Sequence, residues 1–375
     1  MRSLKHLFKV LFLLSFTSSF SQTVTLSENA EVSVLTCGNG NEMYSLFGHT
    51  AIRINDPENG IDQVYNYGAF DFDTPNFVVR FSKGDLQYFV TAGRFADFLY
   101  SYNYEQRSVY EQTLNISQQQ KQQLFDRLTA TLISDERFYT YKFIDRNCTT
   151  MVVELLNDIL DGPVLKKVDA TDVTYREILY PYFDNHFYEQ LGTSIIFGSK
   201  VDQLGEKIFL PIELFNSIEL ATYRGNQLKK SQKTWLEFDR ADSKMSWWNN
   251  PITYVLLLLL VVVANNDRLN MIYFLIAGLI GTFFTIAGWY SYHGELANNY
   301  NALLLNPALL LLIYFHYRRN RIWFNRLAWF CIASILIYLV IMIGKIHLLI
   351  VLPIVLSLLI ILSRYIYSYH KSIKT

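Results

Sequence analysis

Apolar residues are distributed unevenly along this chain of 375 residues. The first two thirds mix apolar and polar positions, whereas the residues from about Trp247 onward form long apolar stretches separated by short polar connections. Each stretch is close to the length of about 20 residues that crosses a hydrocarbon core of about 30 Å. The pattern predicts a transmembrane domain over 247–375 with about five helices, near 248–264, 270–291, 302–317, 323–343 and 347–367.

The beginning of the chain has the three regions of a secretory signal peptide. Basic residues precede an apolar run at 10–16, and small serines follow it. We expect a signal peptide over 1–21 and export of the residues that follow. A retained signal anchor is the alternative, and it would export the same segment.

Basic residues are placed asymmetrically around the apolar stretches. Arginines cluster between the third and fourth stretches, and Arg364 and two lysines lie in the tail, whereas 290–306 contains no basic residue. By the positive-inside rule, we expect the N-terminal domain to lie outside the cytoplasm and the C-terminus to lie in the cytoplasm, in a multi-pass membrane protein. We expect membrane lipids, and no nucleic acid, as partners.

The exported segment at 22–224 is predicted to be one α+β domain. Residues 32–35, 50–54, 63–67 and 86–91 alternate between apolar and polar positions, which is typical of strands. A helix over 117–132 is capped by Ser117, and a second over 148–160 is capped by Asn147. Residues 225–246, which contain four lysines, are predicted to be a polar linker.

One cysteine lies where a helix start activates a thiol. With Asn147 as the N-cap, Cys148 occupies the first helical position, where unpaired N–H groups and the helix dipole stabilise a thiolate. The same N–H groups are suited to bind the oxyanion of an acyl intermediate. The string Asn147-Cys148-Thr149 therefore indicates nucleophilic catalysis by Cys148, with Asn147 and Thr149 as supporting residues.

A general base must come from another part of the chain, because residues 149–160 contain no histidine. His49 is the best candidate, since it leads directly into an apolar strand where an imidazole has no evident packing role. A third group should orient the ring through its other nitrogen. Asn66, on the next predicted strand, is the first choice for that group, and Asp71 is the second.

A disulfide is an open alternative to catalysis. Exported cysteines usually pair, and Cys37 with Cys148 is the available pair because Cys331 lies in a predicted membrane helix. No two His or Cys residues have the spacing of metal ligands, so we predict neither a metal nor another cofactor.

One outer loop of the membrane domain carries polar side chains that are able to reach lipid headgroups. These are His293, Asn298 and Asn299. A simple polar connector is the alternative for this loop.

A histidine on a strand, followed along the chain by a cysteine at a helix start, resembles the order in circularly permuted papain-like enzymes. These enzymes are related to NlpC-type peptidases and to lecithin:retinol acyltransferase-like proteins. Four strings resemble more closely the Lnb N-terminal periplasmic domain, which is followed by several membrane helices. They are SLFGHTAIRI at 45–54, VYNYGAF at 64–70, YKF at 141–143 followed by NCTT at 147–150, and FLP at 209–211.

The resemblance implies lipoprotein N-acylation at the outer face of the inner membrane. The acyl donor would be a phospholipid, and the acceptor would be the α-amine of a diacylglyceryl-cysteine lipoprotein. Carried over by position, Cys148 would be the nucleophile, forming a thioester, His49 the base and Asn66 the third residue. Two alternatives stay open: a membrane-anchored cysteine hydrolase of cell-wall peptide or lipid ester, and a non-catalytic envelope protein with a structural disulfide.

Overall fold

The computed structural model describes residues 24–239 and 246–374. The predicted signal peptide at 1–21 lies outside the described residues. Within them, a domain of mixed helices and strands is followed by a region of apolar helices. The predicted combination of helices and strands in the exported domain is therefore confirmed.

The exported domain is built on a seven-stranded antiparallel sheet in the part of the chain that the structure describes. Its strands are β1 (Glu31–Cys37), β2 (His49–Asp56), β3 (Ile61–Ala69), β4 (Gln87–Arg94), β5 (Val109–Leu114), β6 (Phe138–Thr140) and β9 (Lys229–Leu236). They are arranged in the order β6-β4-β3-β2-β1-β5-β9. A short separate ladder pairs β7 (Thr222–Tyr223) with β8 (Asn226–Gln227). The four strands predicted from alternation are β1 to β4.

The described part of this domain also contains seven α-helices. They are α1 (Phe77–Lys83), α2 (Phe95–Tyr104), α3 (Gln118–Ile133), α4 (Cys148–Ile159), α5 (Tyr175–Leu179), α6 (Phe187–Ile196) and α7 (Pro211–Leu220). Helix α3 begins after Ser117, as predicted, with a capping box between Ser117 and Gln120. Helix α4 packs against β2 and β3. The sheet and α4 therefore form one core, in which each buried Leu, Ile or Val contributes roughly 1.5–3 kcal/mol.

The prediction of a polar linker at 225–246 is wrong for Lys229–Leu236. This segment forms β9, which pairs with β5 at the edge of the sheet. Trp235 anchors the strand: its ring lies 4.8 Å from the Phe95 ring, and its Nε1 donates to Glu111 at 2.5 Å. Lysines are common in edge strands because they discourage pairing with other chains. Lysine content alone therefore does not distinguish this strand from a linker.

The helical region contains α8 (Pro251–Ala264), α9 (Asp267–Tyr290), α10 (Ala308–Tyr317), α11 (Arg321–Met342) and α12 (Leu348–Lys374). By length and composition, three of the described helices are able to cross a membrane, namely α9, α11 and α12. A fourth span results if Gly294–Leu303 and α10, which are bent by 41°, count together. The predicted number of about five is therefore wrong.

The two shorter apolar stretches fall below the spanning length for different reasons. Helix α8 has 14 residues, which makes it about 21 Å long at 1.5 Å per residue. That is less than a hydrocarbon core of about 30 Å. The stretch at 302–317 is interrupted before α10, where Asn306 Oδ1 accepts from Ala308 N at 2.9 Å. Only ten residues of this stretch continue as α10.

The sheet domain contacts one end of the helical region through hydrogen bonds and buried charges. After α9, Tyr292 N donates to Lys83 O at 2.7 Å. Before α8, Asn249 Oδ1 accepts from Tyr188 N at 2.7 Å. Farther along, buried Arg176 forms an ion pair with Asp202, which also accepts from Tyr300. These contacts join the sheet domain to the segments that flank several apolar helices.

Candidate active site

Cys148 is the first residue of α4, and Asn147 is the N-cap, as the sequence predicts. The Asn147 side-chain oxygen accepts from the N–H groups of Thr149 and Thr150, at 2.9 and 3.0 Å. Those two N–H groups are therefore occupied and do not form the expected oxyanion hole. The N–H of Cys148 is the first-turn donor that this cap does not use.

The other half of the Asn147 amide ties the helix start to two loops. Its Nδ2 donates to the carbonyl oxygens of Phe143 and Phe209, at 2.8 and 2.9 Å. The amide is buried and uses both its donors and its acceptor oxygen. A buried amide with all of these bonds has one stable orientation. Asn147 therefore positions Cys148 relative to the 209–211 segment.

His49 is the first residue of β2 and reaches Asn66 across the sheet. Its Nε2 lies 3.2 Å from Asn66 Oδ1, and Asn66 is on β3, next to β2 in register. Gly48 precedes the histidine with a φ of +79°, and a Cβ on it would lie 2.6 Å from Cys37 O. Glycine is therefore required at the position that aims His49.

Gly68 borders both Cys148 and His49. It follows Tyr67 at a bulge in the β3–β4 pairing and has a φ of +117°. A Cβ at this position would lie 3.8 Å from both Cys148 Cβ and His49 Cε1. Cys148 and His49 thus flank the space that Gly68 leaves open. A lone glycine in a predicted strand is the sequence signal of such a close approach.

The thiol and the imidazole shift each other's pKa. Burial raises the pKa of Cys148, but the charge and hydrogen bond of His49, together with hydrogen bonds from the Thr50 backbone and Thr149, outweigh it and bring the pKa below its ordinary value. Burial lowers the pKa of His49, but the Cys148 thiolate and the Asn66 hydrogen bond outweigh this effect and raise it. Opposite charges favour each other's ionised forms. The two residues therefore favour a thiolate–imidazolium pair.

Thr149 supports this pair from the helix. Its Oγ1 lies 4.0 Å from Cys148 Sγ and 3.0 Å from Thr50 Oγ1. Thr50 follows His49 on β2, so the threonine pair links the strand that carries the base to the helix that carries the thiol.

Tyr139 borders the same space, and the sequence analysis did not identify it. Its hydroxyl would lie 4.0 Å from a Cβ on Gly68. The side chain is 2% exposed, and its hydroxyl has no hydrogen-bond partner among the residues that the structure describes. Burial raises the pKa of Tyr139 far above its ordinary value, so the hydroxyl stays protonated as a donor. It is one of 26 tyrosines, and no local motif marks it.

Asp71, the second choice for the orienting residue, lies elsewhere. It is exposed in a turn after β3, and its Oδ1 accepts from Asp73 N at 2.9 Å. The group that the sheet register brings to the His49 ring is the Asn66 amide.

The three loop residues proposed to face lipid headgroups lie at the contact between the two regions. His293 Nε2 lies 2.9 Å from Phe81 O. Asn299 Nδ2 donates to the carbonyl oxygens at 195 and 196, both at 2.9 Å. Asn298 is exposed, with a left-handed φ of +51°. His293 and Asn299 therefore bind backbone carbonyls of the sheet domain.

Glu295, in the same loop, contacts Ile144, which is four residues before Cys148 in the chain. It is buried, and its Oε1 accepts from Ile144 N at 3.0 Å. Its backbone oxygen accepts from Gly198 N at 2.7 Å. The loop between the membrane helices thus holds the segment that leads into α4.

Cys37 and Cys148 are free thiols, so the disulfide of the non-catalytic alternative is not formed. Cys37 is buried on β1, where burial raises its pKa to about 12. Within 24–239 and 246–374, no cluster of three or more His, Cys, Asp or Glu residues is arranged to hold a metal ion.

The family model of the Lnb N-terminal periplasmic domain matches residues 17–180, which include both His49 and Cys148. No curated protein and no solved structure matches the chain. The circularly permuted papain-like arrangement therefore stays a prediction. The matched range contains the strings around His49, Asn66 and Cys148, and the apolar helices lie beyond it. Residues 17–180 of the chain therefore match the Lnb N-terminal periplasmic domain.

Proposed function

We propose that this protein is a lipoprotein N-acyltransferase. It takes a fatty acyl chain from a phospholipid onto Cys148 and transfers it to the α-amine of a diacylglyceryl-cysteine lipoprotein. The observation that carries the proposal is a reactive cysteine held against a membrane domain. Cys148 and His49 border the same space beside Gly68, and Cys148 is four residues after Ile144, whose N–H donates to Glu295 of a loop between two apolar helices.

The proposed location is the inner membrane, with the sheet domain in the periplasm and the C-terminus in the cytoplasm. Four arginines between 318 and 326 lie at the α10–α11 turn, whereas the α9–α10 connection contacts the sheet domain. The α10–α11 turn and the α9–α10 connection lie at opposite ends of α10. The positive-inside rule supports a cytoplasmic location for this arginine-rich turn.

In the first step, the Cys148 thiolate attacks the carbonyl carbon of a phospholipid ester. The oxyanion that forms accepts hydrogen bonds from the Tyr139 hydroxyl and the N–H of Cys148. The intermediate then collapses, its ester C–O bond breaks, and the imidazolium of His49 gives its proton to the departing lysophospholipid oxygen. A thioester on Cys148 and a neutral His49 remain.

In the second step, the neutral α-amine of the acceptor attacks the thioester carbonyl. The nitrogen forms the amide bond and gives its proton to neutral His49, while the C–S bond breaks. The products are an N-acylated lipoprotein and the restored thiolate–imidazolium pair. Conversion of a thioester to an amide is favourable, so this step requires no further energy source.

Water competes with the amine for the same thioester. Transfer is favoured over hydrolysis when the surroundings of the thioester exclude solvent. The buried rings of Tyr88 and Tyr139 lie 6.2 Å apart beside the cysteine and provide such surroundings. This apolar environment favours the transferase over a hydrolase that acts in water.

The test is mass spectrometry of lipoprotein N-termini from cells whose only copy of this protein is wild type or Cys148→Ala. We expect the third acyl chain to be lost in Cys148→Ala and kept in Cys331→Ala, the matched removal of a thiol within a membrane helix. Unchanged triacylation in Cys148→Ala would overturn the proposal.

A second measurement separates the transferase from the hydrolase. Full-length protein in phospholipid vesicles should acquire one acyl group on Cys148, which hydroxylamine removes, and should pass it to a synthetic diacylated lipopeptide. Release of free fatty acid without formation of the amide would assign the hydrolase instead.

A further inference from the structure

Helix α1 and the turn before it expose an apolar surface, which we call the α1 surface. Val78 and Val79 are 72% and 64% exposed, and Phe72 and Phe81 are also exposed. None of the residues of α1 is buried. Single exposed apolar side chains are ordinary, but four within ten residues of the chain are typical of an interaction site.

The α1 surface is held directly against the end of membrane helix α9. Ser291 Oγ donates to Ser82 O at 2.8 Å, and Tyr292 N donates to Lys83 O at 2.7 Å. Both acceptors are carbonyl groups at the end of α1. The height of α1 above the membrane is therefore set by the height of the end of α9.

That end of α9 carries the aromatic residues typical of a membrane–water interface. Trp289, Tyr290 and Tyr292 are all exposed there, and Trp and Tyr are enriched at the level of lipid headgroups. Lys83 Nζ lies 5.5 Å from the rings of both tyrosines and forms an ion pair with Asp85 at 2.7 Å. The α1 surface thus lies at the headgroup level.

A row of aromatic rings leads from the α1 surface to the active site. Successive ring centroids are 6.3 Å apart for Phe81 and Phe77, 5.9 Å for Phe77 and Phe70, 5.1 Å for Phe70 and Tyr88, and 6.2 Å for Tyr88 and Tyr139. Tyr139 borders the space between Cys148 and His49. Tyr88 and Tyr139 are buried, so these ring contacts connect the α1 surface to the active site through the core of the domain.

We infer that the α1 surface inserts into the outer leaflet and brings the phospholipid donor close to the Cys148 site. The occupant of this surface is the phospholipid monolayer, because the surface continues from the lipid-facing side of α9 at headgroup level. The inference rests on the proposed function, since it names the route by which the phospholipid donor reaches that site.

The first test is photocrosslinking with p-benzoylphenylalanine in full-length protein, reconstituted in vesicles of phosphatidylethanolamine and phosphatidylglycerol. The photoprobe replaces Val79 or, as a control, Leu220, which is 66% exposed at the end of α7. The next residue, Ala221, accepts from Leu228 N, and Leu228 O accepts from Asn115 N just after β5. This is the end of the sheet remote from His49.

We expect a phospholipid adduct at position 79 and none at 220. Equal labelling at the two positions, or no lipid adduct at 79, would overturn the inference. An adduct at 79 with another protein in intact cells, and none with lipid, would also overturn it and would assign the surface to a protein partner.

The second test compares acylation of Cys148 from vesicle phospholipid with acylation from p-nitrophenyl butyrate, a short soluble ester. We expect Val78→Asp with Val79→Asp to reduce the rate from vesicles at least about ten-fold more than the rate from the soluble ester, because charged side chains oppose insertion. Leu220→Asp should show no such difference. Equal losses on both substrates would contradict the inference.

The same assay separates this inference from the proposed function. If the wild-type protein forms an acyl-enzyme and the aspartate variants acylate Cys148 from vesicles at the same rate, the inference about the α1 surface is wrong. The proposed acyltransferase function is not affected by that result. A wild-type protein that acylates Cys148 from neither substrate overturns the proposed function itself.

Discussion

His49 Nε2 lies 3.2 Å from Asn66 Oδ1, and the two residues are on adjacent antiparallel strands. An amide oxygen only accepts hydrogen bonds, so the imidazole donates its Nε2–H to it. Nδ1 is then the nitrogen that is able to take a proton from Cys148. The register of β2 and β3 therefore selects the tautomer that a general base needs.

Asn66→Ala should reduce kcat about ten- to a hundred-fold, because the His49 ring loses the bond that orients it. The hydrogen bond that His49 donates to Asn66 raises the pKa of His49, so the pKa of His49 should fall in this variant. The measurement is the pH profile of thioester formation. Asp71→Ala is the matched control and should resemble wild type. An equal loss in Asp71→Ala would show that the ring is oriented by another group.

His49→Ala should raise the pKa of the Cys148 thiol. The favourable charge and hydrogen bond of His49 disappear, while burial, which raises the pKa, remains. In wild type, alkylation by iodoacetamide should reach half its maximal rate below pH 9.0, the ordinary value for this thiol. In the variant, the midpoint should move above that value. Cys148→Ala corrects for labelling of other thiols, and an unchanged midpoint would exclude the thiolate–imidazolium pair.

Tyr139→Phe should reduce kcat about a hundred- to a thousand-fold, the usual effect of removing one oxyanion donor. Its hydroxyl has no other partner among the described residues, so removing it leaves no buried group unpaired. The alkylation midpoint of Cys148 should stay in place, because thiolate formation uses His49. Tyr104→Phe, at an exposed tyrosine, is the control. A wild-type rate of thioester formation in Tyr139→Phe would remove this residue from the mechanism.

Asn147→Ala should lower the free energy of unfolding by roughly 2–4 kcal/mol. The loss combines a helix cap, worth about 1 kcal/mol, with two buried carbonyl groups that lose their donor. Ser117→Ala removes only the cap of α3 and should cost about 1 kcal/mol. Thermal unfolding in detergent compares the two variants. Equal losses would mean that the bonds to Phe143 and Phe209 contribute nothing to stability.

Much of the sheet domain is predictable because its signals are local. Alternation of apolar and polar residues identifies β1 to β4, since side chains in a strand point to opposite faces. The caps at Ser117 and Asn147 depend on residues two or three positions away. For the same reason, the placement of Cys148 at a helix start follows from the string that contains it.

Tertiary structure decides the features that depend on residues far apart in the chain. Strand β9 is stabilised by the packing of Trp235 against Phe95. The residues next to Trp235 in the sequence do not predict this contact. The number of helices long enough to span a membrane depends on where each apolar stretch bends or ends. Tyr139 borders the thiol only because β6 pairs with β4 at the sheet edge.

The sequence by itself determined the class of the domain, the helix start at Cys148 and the candidate thiol, base and orienting residue. These depend on periodicity and capping, which act over a few residues. Only the tertiary structure brought Asn66 rather than Asp71 to His49, added Tyr139, and placed the α1 surface against α9. The physical reason is that sheet register, and contacts between the domain and the membrane helices, join residues tens to hundreds of positions apart. Local sequence patterns do not predict such pairings.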